Sequence, residues 1–489
     1  MDFRTASELT AALRAKQVSS IELTEAAIAA IEADDGEINA VVVRDFERAR
    51  EAAKAADAAL ARGEAGALLG LPMTVKESFN IAGLPTTWGI PKTSQIPVAQ
   101  DAVAVARLKA AGAVVLGKTN VAYVLGDWQS YNQVYGTTNN PWSLAHTPGG
   151  SSGGSAAALA AGFTALELGS DLAGSLRVPA HFCGVYAHKP SSDIIPARGQ
   201  TPPGIPVLSL APRVDLAVSG PMARSAQDLM LGLDVLAGPD DHEATAWRLD
   251  LPAPRHTTLK DYRVLVIDEH PLTPTAAAIR GPLNDLADRL ETVGCRVGRS
   301  GAGLPDLSLI GSMYLRLLMA FIGGTMPQPD YEAAAARAAG IPDAAADLHS
   351  VAERGLVMSH RDWMQADFMR TGIADQWRRV FRDWDIVLCP VMPTTALAHD
   401  HRPMAERTVS IDGRVIPYGE LPLWASIATL TGQPATAFPV AVSADGLPVG
   451  VQAIGGFLED RTTIAFAGLV AREFGGFKPP SALRQKIPA

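Results

Sequence analysis

The chain has 489 residues, a formal net charge of −9 at pH 7 and 47% hydrophobic residues. That length exceeds an ordinary single core and makes two domains the naive expectation, while the acidic balance disfavours nucleic acid as a partner, because phosphate neutralisation needs a basic surface. Three cysteines, Cys183, Cys295 and Cys389, cannot build a disulfide framework and fit a reducing compartment. The N-terminus MDFRTASELT lacks the basic and apolar regions of a secretory signal, and no run reaches spanning length without Gly or charge, so the expectation is a cytoplasmic protein without membrane contact.

In chain order, residues 7–17 and 21–34 read as amphipathic helices, the second opened by a capping box of Ser19 with Glu22. Residues 38–43 read as a short strand and 46–62 as an Ala-rich helix. Leu71 to Val75 is an apolar strand ending at Lys76. A helix over 102–111 and a buried strand over 113–117 lead to Lys118-Thr119-Asn120, which starts a loop. Residues 181–190 and the Pro-rich run to Val207 read as core-covering loops. A strand over 215–222 and a helix over 225–237 follow. Then come a strand over 262–267, a helix over 274–293 and a strand over 295–297, a βαβ pattern that implies parallel neighbours.

Residues 306–326 are nearly continuously apolar and carry Met313, Met319, Phe321 and Met326; methionine suits an adaptable pocket wall and equally fills core gaps. Residues 327–350, rich in Ala, Pro and Asp, read as a mobile surface excursion or lid, followed by a helix over 360–382. Residues 386–388 read as a strand, and Val391 to Thr394 as a border of the substrate site. The triplet His399-Asp400-His401 is a poor metal site, since adjacent loop residues rarely present ligands to one ion and no fourth candidate is evident. Strands over 435–442 and 447–454 and a helix over 462–473 close the chain.

One stretch concentrates chemistry: TPGGSSGGSAAALAAGFTALELGSDLAGSLRVP, residues 147–179. Its two Gly- and Ser-rich clusters permit backbone turns in which N–H groups converge on an anion. A nucleotide-binding module is the alternative of another class, disfavoured because Ser155 stands where the P-loop motif requires Lys and no Rossmann fingerprint is present. Gly150 to Gly154 formally satisfies G-x-S-x-G, but that nucleophile elbow must follow a buried strand, and the preceding NNPWSLAHTPG carries two prolines and no alternation. A third reading joins the stretch to Lys76, whose ammonium at the end of an apolar strand is poorly solvated and therefore able to act as a base when neutral.

Lys76, the GGSSGG run and the later D-x-x-G-S-x-R segment together resemble the amidase signature family, and the separations of 75 positions from Lys76 to Ser151 and 24 from Ser151 to Ser175 match that family's usual spacing. The resemblance implies an α/β fold with a central mixed β-sheet flanked by helices on both faces. No long linker divides the chain, so it implies one domain over 1–489, with a signature core about 70–190 and a helical substrate-pocket region about 300–385. It implies an amidase that cleaves carbon–nitrogen bonds of carboxamides through an acyl-enzyme, with Ser175 as nucleophile, Ser151 as bridging serine after a cis peptide bond and Lys76 as base. The N–H groups of Leu172, Ala173, Gly174 and Ser175 would form the oxyanion hole. Ala173 stands where the family usually has Gly, which narrows the approach to that hole. Asp171 and Arg177 are expected to pair and pin the loop. Tyr123, Trp128, Tyr131 and Met313 are the substrate-pocket candidates, each also readable as packing. No cofactor or metal is implied, and the partner is a small-molecule amide bound by a monomer or homodimer. Aryl amides, nylon-type oligomers, esters and carbamates all fit an acyl-enzyme route; a glutaminase-type component of a tRNA-dependent amidotransferase shares the triad and is the alternative.

Overall fold

The computed structural model describes residues 3–93, 96–203, 214–299, 303–342 and 344–481. The helices α1 (Ala6–Arg14) and α2 (Ser20–Ile38) each begin with a complete capping box, Thr5 with Glu8 and Ser19 with Glu22. Helix α2 runs through Ile38 and stops at Asn39 in the left-handed conformation, so the strand expected over 38–43 shrinks to β1 (Val41–Arg44). Next come α3 (Phe46–Ala61), β2 (Pro72–Lys76), α4 (Val103–Ala110) and β3 (Val114–Thr119). Lys118 and Thr119 thus belong to a strand and not to a loop. A small ribbon, β4 (Tyr131–Asn132) and β5 (Gly136–Thr137), precedes α5 (Gly153–Ala160), β6 (Leu166–Asp171), α6 (Arg177–Cys183) and β7 (Tyr186–Lys189).

The loop expected over 181–190 is therefore overturned. Its polar residues are buried yet satisfied: His181 accepts from the Gly450 amide, and Lys189 donates to the carbonyls of Pro190 and Gln433. Residues 204–207 of the adjoining Pro-rich run lie outside the described residues. The chain continues through β8 (Val218–Ala223), α7 (Ala226–Leu236), β9 (Arg263–Val266), α8 (Ala277–Thr292) and β10 (Arg296–Gly298). Helices α9 (Leu307–Thr325), α10 (Gln328–Ala339), α11 (Leu348–Leu356) and α12 (His360–Asp383) follow. The segment expected as an irregular excursion is mostly helical, because Pro327-Gln328-Pro329 supplies a favourable first turn and Asp347 caps α11 by accepting from the Ser350 amide. The last elements are β11 (Ile386–Pro390), the hairpin β12 (Thr408–Ile411) and β13 (Arg414–Pro417), α13 (Leu423–Thr429), β14 (Ala435–Val442), β15 (Pro448–Ile454) and α14 (Asp460–Phe474).

Eleven strands form one mixed sheet in the order β1-β3-β2-β6-β8-β7-β14-β15-β11-β9-β10. Strands β3, β2 and β6 are mutually parallel, as are β11, β9 and β10, while the strands between them pair antiparallel. The βαβ unit read from residues 262–297 forms as β9-α8-β10 with parallel register. Burial on both faces follows the strand period of two: Val264 and Val266 pack with Leu229 and Leu286 on one side, and Leu265 packs with Leu317, Trp377 and Ile427 on the other. Helix α9 is long and apolar enough, by length and composition alone, to cross a membrane; in this fold its Ile310, Tyr314, Leu317 and Leu318 are buried against the protein.

Close packing of α9 on α11 depends on Gly323. A Cβ there would stand 1.8 Å from the Leu356 carbonyl oxygen, so no side chain fits without displacing α11. Gly323→Val is expected to destabilise the protein by about 1–3 kcal/mol, read as a lower urea midpoint; an unchanged midpoint would contradict this packing.

Candidate active site

Strands β2 and β6 are adjacent and parallel, so their carboxyl ends lie side by side and bring the end of one motif to the start of the next. Lys76 is the last residue of β2 and is completely buried. Its Nζ donates to Ser151 Oγ at 2.8 Å and to Ser170 Oγ at 2.9 Å. Ser151 follows a cis peptide bond from Gly150. Gly150 sits so close to the preceding segment that a Cβ would meet the Asp127 carbonyl oxygen at 2.3 Å. Glycine here serves backbone-to-backbone approach, which places Ser151 under Lys76.

Burial pushes the Lys76 pKa down to about 7, against the opposing attraction of Asp171. Burial also lowers Lys118 to about 8 and Lys189 to about 7, so a low pKa alone does not single out a base. Partners do. Lys118 donates to the Pro85 carbonyl and the Thr86 hydroxyl, and Lys189 to two carbonyls, whereas Lys76 alone of the three faces two serines.

The loop from Asp171 to Arg177 is organised by one ion pair. Arg177 Nε donates to Asp171 Oδ2 and Nη2 to Oδ1, both at 3.0 Å, with both side chains buried. Burial alone would raise the Asp171 pKa, but Arg177 and the loop amides hold it below the usual carboxylate range. Asp171 also accepts from the amides of Gly174 at 2.8 Å and Leu176 at 3.1 Å. The Gly174 N–H, one of four anticipated oxyanion donors, is thereby directed to Asp171; among the described residues the amides of Leu172, Ala173 and Ser175 have no such partner. Gly174 has φ +90°, while Ala173 does not enter the positive-φ region, so its methyl costs no backbone strain. Ser175 keeps 6% exposure, and its carbonyl accepts from the Ser152 amide at 3.3 Å, which ties the two Ser-bearing loops together. Ser152 itself is fully buried, donates to the Ser170 carbonyl and follows no strand, so the elbow pattern at 150–154 lacks its structural context.

The four pocket candidates separate. Trp128 is buried and donates its indole N–H to the Ala173 carbonyl at 2.8 Å, so it braces the loop before Ser175. Tyr131 stacks on His401 with ring centroids 3.9 Å apart, and its hydroxyl accepts from Arg407 at 2.6 Å. Tyr123 is 51% exposed on a surface turn. Met313, on α9, lines a cavity between α9, α10, α11 and α12. Val391 and Met392 are fully buried in the core next to α6. Of the His399 triplet, His401 stacks on Tyr131 and Asp400 pairs with Arg402; among the described residues no group of three or more His, Cys, Asp or Glu is placed to hold a metal ion.

Two features escaped the sequence. Ser170 is the second hydroxyl on Lys76, and its only signal was alternation along β6. Arg407 pairs with Asp127 at 2.6 Å, and Tyr418 donates to the same carboxylate at 2.7 Å, clamping the segment whose backbone abuts Gly150. Residues 280 positions apart carry no local pattern for such a pair.

The Amidase family profile matches residues 22–464. The chain is 33% identical to a glutamyl-tRNA(Gln) amidotransferase subunit of Anaeromyxobacter sp. (strain K), covering 97% of this chain and 96% of that protein. It is 29% identical to fatty-acid amide hydrolase 2-A of Danio rerio, over 97% and 90% of the two chains. A solved structure concerned with a vestigial protein complex and the origins of an s-triazine catabolic enzyme superposes with TM-score 0.80 at 30% identity, covering 97% of this chain and all of that one. A bacterial aryl acylamidase of the amidase signature family, 24% identical over 100% and 99% of the chains, shares the fold with TM-score 0.81. Fold and kinship define a hydrolase of carbon–nitrogen bonds other than peptide bonds. The chain belongs to the amidase signature family and acts on amides.

Arg177→Met would strand Asp171 as an uncompensated buried charge and is expected to cost about 3–5 kcal/mol of stability, measured by urea unfolding. Arg177→Lys keeps a cation but not the fork, and is expected to lose less. Equal losses in the two variants would refute the bidentate tie.

Proposed function

We propose that the chain is a free-standing amidase that transfers the acyl group of a small-molecule carboxamide to Ser175 and then to water. The observation that carries this reading is Lys76 Nζ, fully buried and 2.8 Å from Ser151 Oγ. In this scheme neutral Lys76 accepts a proton from Ser151 as Ser151 accepts one from Ser175. Ser175 Oγ then bonds to the carbonyl carbon and the oxygen becomes an oxyanion facing the amides of Leu172, Ala173 and Ser175. Collapse breaks the carbon–nitrogen bond, and the proton returns along the relay to the leaving amine. Water repeats the attack on the ester and regenerates Ser175. Ser170, as a second acceptor for Lys76, orients the amine. The single sheet built from strands of both ends of the chain supports reading 1–489 as one domain, and the net charge of −9 supports a small amide over nucleic acid as the bound partner, with the protein a monomer or homodimer.

A second reading rests on the 33% identity to the amidotransferase protein: glutamine as amide donor within a larger assembly. Glutamine hydrolysis absent from the isolated chain and appearing only with companion proteins would favour it over the free-standing enzyme.

Intact-protein mass after exposure to a fluorophosphonate tests the nucleophile. One adduct is expected on the wild type and none on Ser175→Ala; labelling that survives Ser175→Ala and vanishes in Ser152→Ala would transfer the role to Ser152. Lys76→Ala is expected to slow labelling by about two to four powers of ten.

The base must be uncharged to accept a proton, so kcat/KM is expected to fall as pH drops through about 7, the Lys76 value. A rate that stays flat from pH 6 to 8 would remove Lys76 from the relay.

A further inference from the structure

Helix α9 presents two different stripes. Leu309, Met313 and Arg316 line a cavity of about 690 Å³ between α9, α10, α11 and α12. Ile310, Tyr314, Leu317 and Leu318, at helical spacing, are buried instead in the core cluster that holds Leu265, Trp424 and Ile427. Tyr314 carries the one polar atom among these four side chains. A phenylalanine would fill the same space, so packing accounts for the ring and leaves the hydroxyl unexplained. That hydroxyl is fully buried, and its one hydrogen bond to a described residue runs to the Leu172 carbonyl at 3.2 Å. Burial pushes the Tyr314 pKa above the ordinary tyrosine value, so the hydroxyl keeps its proton across the neutral range.

The effect of this bond follows from the geometry of the peptide unit. The Leu172 carbonyl and the Ala173 amide share one plane, which is trans, since the only cis bond among the described residues is Gly150–Ser151. Holding the carbonyl from the α9 side therefore fixes the Ala173 N–H in the opposite direction. The next two planes are pinned in the same way. The Trp128 indole donates to the Ala173 carbonyl at 2.8 Å, and the Val178 amide donates to the Gly174 carbonyl at 2.7 Å. Their N–H groups differ in what they meet: that of Gly174 is taken by Asp171, while that of Ser175 has no partner among the described residues. Within the three planes the open donors are thus Ala173 and Ser175. A carbonyl that accepts a hydrogen bond also polarises the N–H of its own plane and strengthens it as a donor. For Trp128 that polarisation falls on an amide already bonded to a carboxylate, whereas for Tyr314 it falls on the open amide of Ala173.

Resting on the Ser175 reading above, we propose that Tyr314 is a positioning residue of the oxyanion hole: through the Leu172–Ala173 peptide plane it aims the Ala173 N–H at the substrate oxygen that becomes negative. Tyr314 acts through the backbone and exchanges no proton. Its contribution therefore belongs to the transition state and not to substrate binding.

The test uses full-length Tyr314→Phe, which keeps the ring and removes only the hydroxyl. A fluorophosphonate places its phosphoryl oxygen where the oxyanion would lie, and its use requires no knowledge of the preferred amide. Labelling followed by intact mass is expected to reach the same final extent as in the wild type, at a rate about two- to tenfold lower. With acetyl p-nitroanilide, kcat is expected to fall by the same factor at unchanged KM, and the drop in rate through about pH 7, set by Lys76, to stay in place. A tyrosine with a purely structural role would behave differently: part of the protein would be inactive, so the extent of labelling would drop while the remaining sites reacted at the wild-type rate. That result, or a labelling rate equal to the wild type, overturns the proposal. A displaced pH midpoint would put the effect at Lys76 and overturn it as well. Failure of the underlying reading shows in the wild type instead, where the absence of an adduct on Ser175 would sink the relay, and this role with it, whatever Tyr314→Phe does.

Discussion

A buried ion pair between Asp171 and Arg177 holds together parts of the chain that the sequence keeps far apart. Asp171 gathers the amides of Gly174 and Leu176 and so shapes the loop around Ser175. Arg177 directs its remaining donors to the Ala425 carbonyl, the Gln452 side chain and the Thr429 hydroxyl, which belong to α13 and β15. A charge pair with no access to water is costly unless every lone pair and proton is matched, and here the matching partners come from both halves of the sheet. The same carboxylate also exerts the one attraction that opposes the desolvation of Lys76. Loop shape and the joining of the C-terminal strands to the site thus share a single origin, while burial sets the direction of the Lys76 shift.

Around that pair the scaffold works by close approach. Gly150 lets the backbone before Ser151 press against residues 127–129, and the Asp127–Arg407–Tyr418 clamp fixes that segment from the far side. Trp128, between them, reaches the Ala173 carbonyl. The loop before Ser175 is therefore held from three directions: by Asp171 beneath it, by the Trp128 indole beside it and by the Tyr314 hydroxyl on Leu172. In the proposed acyl-enzyme scheme, amides held in this way would need no rearrangement when negative charge develops.

Much of this was legible in the sequence. Elements announced by local chemistry read well, as with the Ser19–Glu22 capping box and the β9-α8-β10 unit. The motif spacing joined Lys76 to Ser151, whose side chains meet at 2.8 Å, and the Ser175 carbonyl accepts from the neighbouring Ser152 amide. Misreadings arose where polarity was mistaken for exposure. His181 and Lys189 made α6 and β7 look like loops, yet their polar atoms are matched by partners hundreds of residues away in sequence. Composition misled again at 327–350, where Ala, Pro and Asp suggested irregularity but stood at the helix positions that favour them. The Asp127–Arg407 pair, Ser170 on Lys76 and the second stripe of α9 depend on tertiary placement and have no local signature.

The complete burial of Lys76 has a consequence for the protein's reactivity as a chemical object. A lysine half neutral near pH 7 is ordinarily an aggressive nucleophile toward cyanate, anhydrides and activated esters. Here the amine has no exposed surface, and both of its neighbours are hydroxyls, one of them on Ser151, itself 2% exposed. Ser175, at 6% exposure, is the more accessible of the two motif serines. The burial that lowers the Lys76 pKa thus also shields the amine from acylating agents in solution.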